Sequence, residues 1–508
     1  MLTALDYTII VAYLAGVAIF GIVVSGRQTS TVDYFLAGRN LPWWVACIST
    51  VATETSTLTV IGLPAIAYGG TLAFMQLTLG YLLGRSVVAL VFLPRYYAGR
   101  LETTYEFLGK RYGDAMRAAA STTFLFTRLL ADGVRLFATA IPIKVIADSA
   151  GLDLGYGDLI AILVGVTVVY TCFGGMRAVV WMDVVQLIVY VGAGVAVLVV
   201  LSGQLPVGWL AEASRAGKTV LFDSGFGADP VSWLTSPYLL PAAVLGGAVF
   251  SMASHGTDQL MVQRLLACRS LRDSQKALVG SAILVMLQFA LFLAIGLMLW
   301  SLYGGATPAE LGLGRADEVF PKYIIEGLPA GVTGLLFAGI VAAAMSTLSS
   351  SMNSLAASTV MDLYQRLRRR ANAPVSLLTS RAFTVLWGAL LVAFAAPFQD
   401  MDNPVAELGL MVASFTYGGL LGVFVLGIVN RASRQPDALV AFAVTVLVMV
   451  VLVFGLRHGD VSGWLLVMPG SAGSLPDARL ESVAWPWYPV IGLVLTLATG
   501  AISVRLRA

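Results

Sequence analysis

Charge is what this sequence has least of. Asp, Glu, Lys and Arg make up 12% of its 508 residues, against roughly 25% in ordinary soluble domains, while 58% are hydrophobic. Such a chain cannot clothe a water-facing surface, so a string of soluble domains is excluded and the solvent is lipid. Histidine is nearly absent: His255 and His458 stand far apart, with no metal-ligand spacing. The three cysteines, Cys47, Cys172 and Cys268, form neither a zinc pattern nor a disulfide framework. No nucleophile motif accompanies them, so an enzyme is not expected. The net charge is only +3, and no basic run interleaves with aromatics, which leaves nucleic-acid binding without support. The first apolar stretch also lacks the basic n-region and small-residue cleavage site of a secretory signal, since Arg27 follows it. It is expected to remain as a membrane span.

What is present is a series of long apolar runs. A helix needs roughly 20 mainly apolar residues to cross the hydrocarbon, and thirteen such segments are readable, near 7–25, 42–69, 72–93, 117–147, 158–173, 178–202, 236–256, 277–303, 331–363, 378–397, 405–430, 437–456 and 485–504. The expected class is therefore an all-α polytopic membrane protein of the plasma (inner) membrane, with no separate soluble domain. Basic residues near span ends are retained in the cytoplasm. One set of loops holds Arg215, Lys218, Arg315, Lys322, Arg457 and Arg479. The opposite set holds many more, among them Arg27, Arg39, Arg111, Arg177, Arg264, Arg368, Arg369, Arg370, Arg431, Arg434 and Arg507. That asymmetry puts the amino terminus outside and the carboxyl terminus in the cytoplasm.

Polar residues at membrane depth are costly unless they line a cavity or pair, so they mark candidate function. The second span carries Thr53, Glu54, Thr55, Ser56, Thr57 and Thr59, followed by Gly62 and Pro64. Hydroxyls in such density compete with helical hydrogen bonds and predict a helix interrupted in mid-membrane; the alternative is that they bond back to their own helix. The ninth span reads Ala343, Ala344, Met345, Ser346, Thr347, Leu348, Ser349, Ser350, Ser351. Small and hydroxyl residues also serve close helix packing, but hydroxyls and freed carbonyls together suit a hard cation of low charge. In the fourth span Arg128, Asp132 and Arg135 lie at i, i+4 and i+7, either a structural ion-pair cluster or a pair with one arginine left to meet a substrate carboxylate. Asp183 begins the sixth span, where an acid is as often a helix N-terminal charge as a ligand.

Several stretches then resemble a known family. They are Asp33-Tyr34-Phe35-Leu36-Ala37-Gly38-Arg39; Thr104-Tyr105-Glu106-Phe107-Leu108 with Arg111-Tyr112-Gly113; Gly174-Gly175-Met176-Arg177 through Trp181-Met182-Asp183; Gly256-Thr257-Asp258-Gln259 with Val262-Gln263-Arg264; and Met352-Asn353-Ser354 with Met361-Asp362-Leu363-Tyr364. In this order and spacing they resemble the sodium/solute symporter family of sugar, proline, sialic acid and monocarboxylate carriers. The resemblance implies the leucine-transporter fold: an extra helix at 7–25, inverted five-helix repeats at 42–202 and 236–430, and further helices at 437–508. The first helix of each repeat would be broken. It also implies a sodium site at Ala52, Thr55, Ala343, Ser346 and Thr347, and, from some sialic acid carriers, a second at Asp183, Ser349 and Ser350. Departures bear on the solute. Sugar carriers place asparagine where Glu54 stands and a Tyr-Trp pair where Ser254-His255 stands, and the carboxylate-gripping arginine of sialic acid carriers aligns with neither Arg128 nor Arg135 without a gap.

The expected function is sodium-coupled symport of a small polar organic solute, with Glu54, Ser56, Thr59, Phe74, Arg135 and His255 as candidate solute contacts. The alternatives are a proton-coupled carrier using Glu54, and a membrane sensor or channel. The hydroxyl cluster around Ser346 offers no proton site and suits a bare cation, which favours sodium. Two sodium ions per cycle are expected, Asp183 supplying the anionic oxygen of the second site.

Overall fold

Backbone buried in hydrocarbon has no water to bond to and must satisfy itself internally, and this chain does so almost wholly as helix. The computed structural model describes residues 2–26, 28–367, 375–395, 405–459, 462–467 and 480–507. Arg27, Arg368, Arg369, Arg370 and Arg479 of the charge pattern, and positions 396–397 of the tenth expected span, lie outside the described residues. Among the described residues, eight helices are long and apolar enough to cross a membrane, or nine if one sharply bent pair counts as a single span.

The helices used below are α1 (Ala4–Val24), α2 (Trp43–Glu54), α3 (Thr57–Gly69), α4 (Leu72–Ala98), α5 (Tyr105–Tyr112), α6 (Asp114–Ser149), α7 (Tyr156–Ser202), α8 (Ala242–Gly256), α9 (Gln259–Leu266), α10 (Leu271–Leu302), α11 (Val332–Ser358), α12 (Leu377–Ala395), α13 (Val405–Val429), α14 (Gln435–Gly455) and α15 (Trp487–Arg507). They form two compact units, each drawn from three stretches of chain.

The first unit comprises Met1–Met75, Arg128–Leu221 and Gln263–Gly409. Its core is α11, buried along nearly its whole length and packed most extensively on α7, with α10 against both α2 and α3. Small side chains set these approaches. A Cβ on Gly296 of α10 would stand 2.1 Å from the Pro64 carbonyl oxygen of α3, so only glycine lets these two helices pass. Asp6 of α1 accepts hydrogen bonds from the Gly331 and Gly334 amides, both at 2.8 Å, and so satisfies donors at the start of α11 that the helix itself leaves orphaned. The expected spans 158–173 and 178–202 are two arms of one run, α7, kinked at Gly175. There φ is +54°, and a side chain would strike the Tyr34 carbonyl at 2.5 Å.

The second unit comprises Gln76–Thr127, Phe222–Val262 and Leu410–Ala508. Tyr96 of α4 donates to the Gly256 carbonyl at the end of α8, and the Phe107 and Phe424 rings stack at 5.5 Å. Helices α14 and α15 are joined through Thr445 and Thr496, whose hydroxyls lie 2.9 Å apart. A small antiparallel sheet, β1 (Leu456–Gly459), β2 (Gly463–Leu466) and β3 (Leu480–Glu481), has the order β2-β1-β3.

Candidate functional site

The expected interruption of the second span falls between α2 and α3, which meet at a 67° bend. Thr55 adopts φ −80°, ψ 123° and Ser56 φ −121°, ψ 174°, extended conformations that end one helix and start the next. The chain closes off both ends locally. Thr55 returns its amide and its hydroxyl to the Val51 carbonyl at 3.0 and 2.9 Å, and the Ser56 amide donates to the Thr59 hydroxyl at 3.3 Å. The break leaves carbonyls without helical donors, and α11 faces them. The Thr347 hydroxyl lies 3.2 Å from the carbonyl oxygens of both Thr53 and Thr55, and 3.3 Å from that of Ala343 on its own helix. One hydroxyl has one proton and can donate it to one acceptor at a time; the Ala343 carbonyl lies inside the unbroken α11, but the two carbonyls at the break outnumber the one hydrogen this hydroxyl offers them.

Beside this oxygen cluster stands Asp183 of α7, fully buried. Its Oδ1 accepts from Ser346 at 2.6 Å; its Oδ2 accepts from Ser49 at 2.5 Å and from Thr53 at 3.4 Å. Ser350 meets the Thr53 hydroxyl at 3.0 Å, and Ser349 donates to the Ser346 carbonyl at 3.1 Å. A cation is already present on the Oδ2 side. The Nη1 of Arg264 lies 3.9 Å from Oδ2, donates to the Ser49 carbonyl at 2.8 Å and bonds the Thr53 hydroxyl. Arg264, read from the sequence as a loop cation, is thus 1% exposed at a carboxylate inside the protein. A buried carboxylate needs such a partner, because desolvating a lone charge costs several kcal/mol.

The Arg128–Asp132–Arg135 triplet of α6 is asymmetric. Arg128 and Asp132 are buried and 3.5 Å apart, whereas Arg135, 3.7 Å from the same Oδ1, keeps 27% of its side chain exposed. Arg135 lines a narrow cleft of about 20 Å³ together with Ser56, Asp132, Leu136, Thr139 and Thr347. The structure therefore brings one candidate solute arginine, Ser56 from the helix break and Thr347 from the oxygen cluster to the same opening.

The remaining expected site residues are distributed as follows. Ala52 is buried on the last turn of α2, and Glu54 is half-buried at its end. Thr59 serves the start of α3, and Phe74 packs against Phe289 with ring centroids 5.5 Å apart. His255 is buried in the second unit, its Nδ1 2.8 Å from the Ser254 hydroxyl. Sequence reasoning assigned no site role to Ser49, Thr53, Arg264 or Gln288. Gln288 of α10 donates to the Thr55 hydroxyl at 2.7 Å and accepts from Tyr190 at 3.2 Å. The signal available for Gln288 was its amide side chain in the middle of an apolar span; Arg264 lay in a recognised motif but read as a span-end charge.

Known proteins are similar to this chain in sequence and in fold. The chain is 28% identical over 447 residues to a sodium/sialic acid symporter of Aliivibrio fischeri, covering 87% of this chain and 86% of the relative. It is 31% identical over 447 residues to the human sodium/iodide cotransporter, covering 86% of this chain and 67% of the relative. With human sodium-coupled monocarboxylate transporter 1 it shares 27% over 450 residues, covering 86% and 71%. Among solved structures, a sodium-coupled sialic acid symporter in a substrate-bound outward-open state superposes with a TM-score of 0.81 at 24% identity, over 100% of this chain and 98% of that one. A nucleobase-cation-symport-1 family transporter shares the fold more distantly, with a TM-score of 0.55 at 12% identity over 94% and 95%. Residues 34–445 match the sodium:solute symporter family, and the chain belongs to it: this is a multi-pass membrane transporter that couples solute movement to sodium.

Proposed function

We propose that the protein carries a small organic solute bearing a carboxylate into the cell by alternating access, with sodium bound at the α2–α3 break. The observation that carries the reading is Thr347, one hydroxyl against three carbonyl oxygens. A bare cation in their midst satisfies all of them at once, as one hydroxyl proton cannot, and broken helices with hydroxyl neighbours suit sodium. Thr53, Thr55, Ala343 and Thr347 supply the first site, with Ala52 and Ser346 beside them. The repeats at 42–202 and 236–430, the full set of thirteen spans and an outside amino terminus belong to the same proposal.

The solute reading rests on Arg135, exposed to the cleft that Ser56 and Thr347 also line. A planar guanidinium matches a carboxylate with two parallel hydrogen bonds, and sialic acid and monocarboxylates, carried by the relatives named above, present that group. Proteoliposome uptake of labelled sialic acid, pyruvate, lactate and short-chain monocarboxylates, with and without an inward sodium gradient, tests both parts. Sodium-dependent accumulation of a carboxylate is the expected result; carriage of an uncharged solute alone would refute the solute assignment.

We assign the second sodium to Asp183 with Ser349 and Ser350, the Ser346 hydroxyl standing beside them on Oδ1. A different reading is favoured by one observation, the 3.9 Å approach of Arg264 to Oδ2: the guanidinium is itself the second cation, and one sodium moves per cycle. The sodium Hill coefficient separates them, near two for the first reading and near one for the second.

A further inference from the structure

The transport site leaves unexplained a basic cavity in the second unit. Four helix ends meet there: the last residues of α5 and α15, the chain just past α13 and the start of α14. The cavity holds about 680 Å³, within the range of small-molecule pockets. Arginines from three separate stretches line it, and none of its lining residues is acidic.

The four guanidinium groups are not equivalent. Arg111 is fixed as scaffold, its Nε 3.0 Å from the Gly427 carbonyl and its Nη2 2.8 Å from that of Asn430. Arg507 pairs with Asp437 at 2.9 Å and donates to the Ala432 carbonyl at the same distance. These contacts hold the Asn430–Arg434 turn open, and Ser433 is tied beneath it to Tyr112 at 3.1 Å. Arg431 and Arg434 stand exposed on the rim of that turn. Among the described residues, neither guanidinium has an ion-pair or hydrogen-bond partner, and Asp437, the carboxylate at the cavity's edge, is already engaged by Arg507 and by Ser503 at 2.8 Å. Cavity, excess positive charge and two unengaged guanidinium groups on a braced turn are the parts of an anion site.

We propose that this cavity binds the phosphate group of an anionic membrane lipid. Phosphate offers enough oxygens to engage two guanidinium groups at once, and the position favours a lipid over free phosphate. The cavity lies at the ends of two long apolar helices, α14 and α15, hence at headgroup level. Apolar side chains lead away from it along those helices and α13: Val429, Val440, Ile502 and Leu506 are all exposed. A lipid seated by its phosphate would lay its acyl chains on that surface, whereas free phosphate would make no use of it. The charge asymmetry of the loops places this end in the cytoplasm, where anionic lipid attracts arginine.

The test uses the purified full-length protein and its R431Q/R434Q and R431K/R434K variants. Dioleoyl phosphatidylglycerol is titrated in mixed detergent micelles against dioleoyl phosphatidylcholine, and binding is followed by native mass spectrometry and by the thermal midpoint. The expected result is binding of phosphatidylglycerol over phosphatidylcholine, weakened about 30-fold in R431Q/R434Q from the loss of two surface charges. R431K/R434K, which keeps the charge but loses the planar forks, should bind more weakly than the unaltered protein and more tightly than R431Q/R434Q. Equal binding of the two lipids by the unaltered protein, or unchanged phosphatidylglycerol binding in R431Q/R434Q, would overturn the site. A thermal shift reproduced by millimolar inorganic phosphate without anionic lipid would overturn the lipid as its occupant. If R431Q/R434Q fails to fold, the unaltered protein and R431K/R434K still decide the matter through the lipid preference and the phosphate control.

Discussion

Asp183 and Arg264 face each other 3.9 Å apart inside the protein, one from the kinked α7 and one from the short α9, with almost no exposure between them. Ser49 and Thr53 of α2 bridge them, each hydrogen-bonded to both. Three helices near the break are therefore held by one pair of opposite charges.

Removing one member of that pair strands the other, which for buried pairs costs about 3–5 kcal/mol. R264Q and D183N should each lower the thermal midpoint substantially, and D183N/R264Q should recover part of the loss. Melting curves of the three variants and the unaltered protein form a double-mutant cycle. Additive effects of the two single changes would show that the charges do not act as a pair.

Sodium dependence should respond to Thr347. T347A removes the hydroxyl set among three carbonyls and should raise the half-saturating sodium concentration about tenfold or more, while T347S, which keeps the hydroxyl, should change it little. S346A should act more weakly on this site, since that hydroxyl is turned to Asp183. Uptake against external sodium measures all three. A T347A curve superposing on the unaltered protein's would remove Thr347 from the site.

Ion stoichiometry carries an energetic prediction. One positive charge moved inward at 100 mV yields about 2.3 kcal/mol, and a tenfold sodium gradient adds about 1.4 kcal/mol. A monoanion moved with one sodium carries no net charge and gains nothing from the potential; a second sodium restores the electrical drive. With two ions, uptake should be electrogenic with a sodium Hill coefficient near two, falling toward one in D183N. An electroneutral cycle with a coefficient near one, unaltered in D183N, would give Arg264 the second cation's place.

At Arg135 the prediction concerns shape rather than charge. R135K keeps the charge but loses the planar fork, so uptake of a carboxylate solute should fall at least about tenfold. Normal transport by R135K would show that no bidentate contact is made there.

G296A tests the helix crossing that steadies the break. Its Cβ would stand 2.1 Å from the Pro64 carbonyl oxygen, so α3 and α10 must move apart, an overpacking cost of about 1–3 kcal/mol. The thermal midpoint should drop by several degrees; an unchanged midpoint would mean that the crossing is loose.

Read by itself, the sequence determined what depends on local order along the chain. Lipid as solvent follows from scarce charge, and the helices follow from apolar runs that can satisfy their backbone in no other way. The break at Thr55 and Ser56 was legible because hydroxyls crowded before Gly62 and Pro64 weaken a helix in place. The richness of α11 in oxygen was legible directly from its residues, although that helix stays unbroken. What only the tertiary structure decided is which oxygens meet and what charge stands among them. Thr347 finds the Thr53 and Thr55 carbonyls across nearly 300 residues of chain. Arg135 and Arg128 look alike as i+3 and i−4 neighbours of Asp132, and packing alone buried Arg128 and left Arg135 at the cleft. Arg264 is the clearest case. Its position at the end of an apolar run reads as a cytoplasmic charge, because charge patterns register where arginines fall along the chain. The turn at Thr257 and Asp258 that redirects α9, and the carboxylate waiting on α7, exist only once the helices have packed.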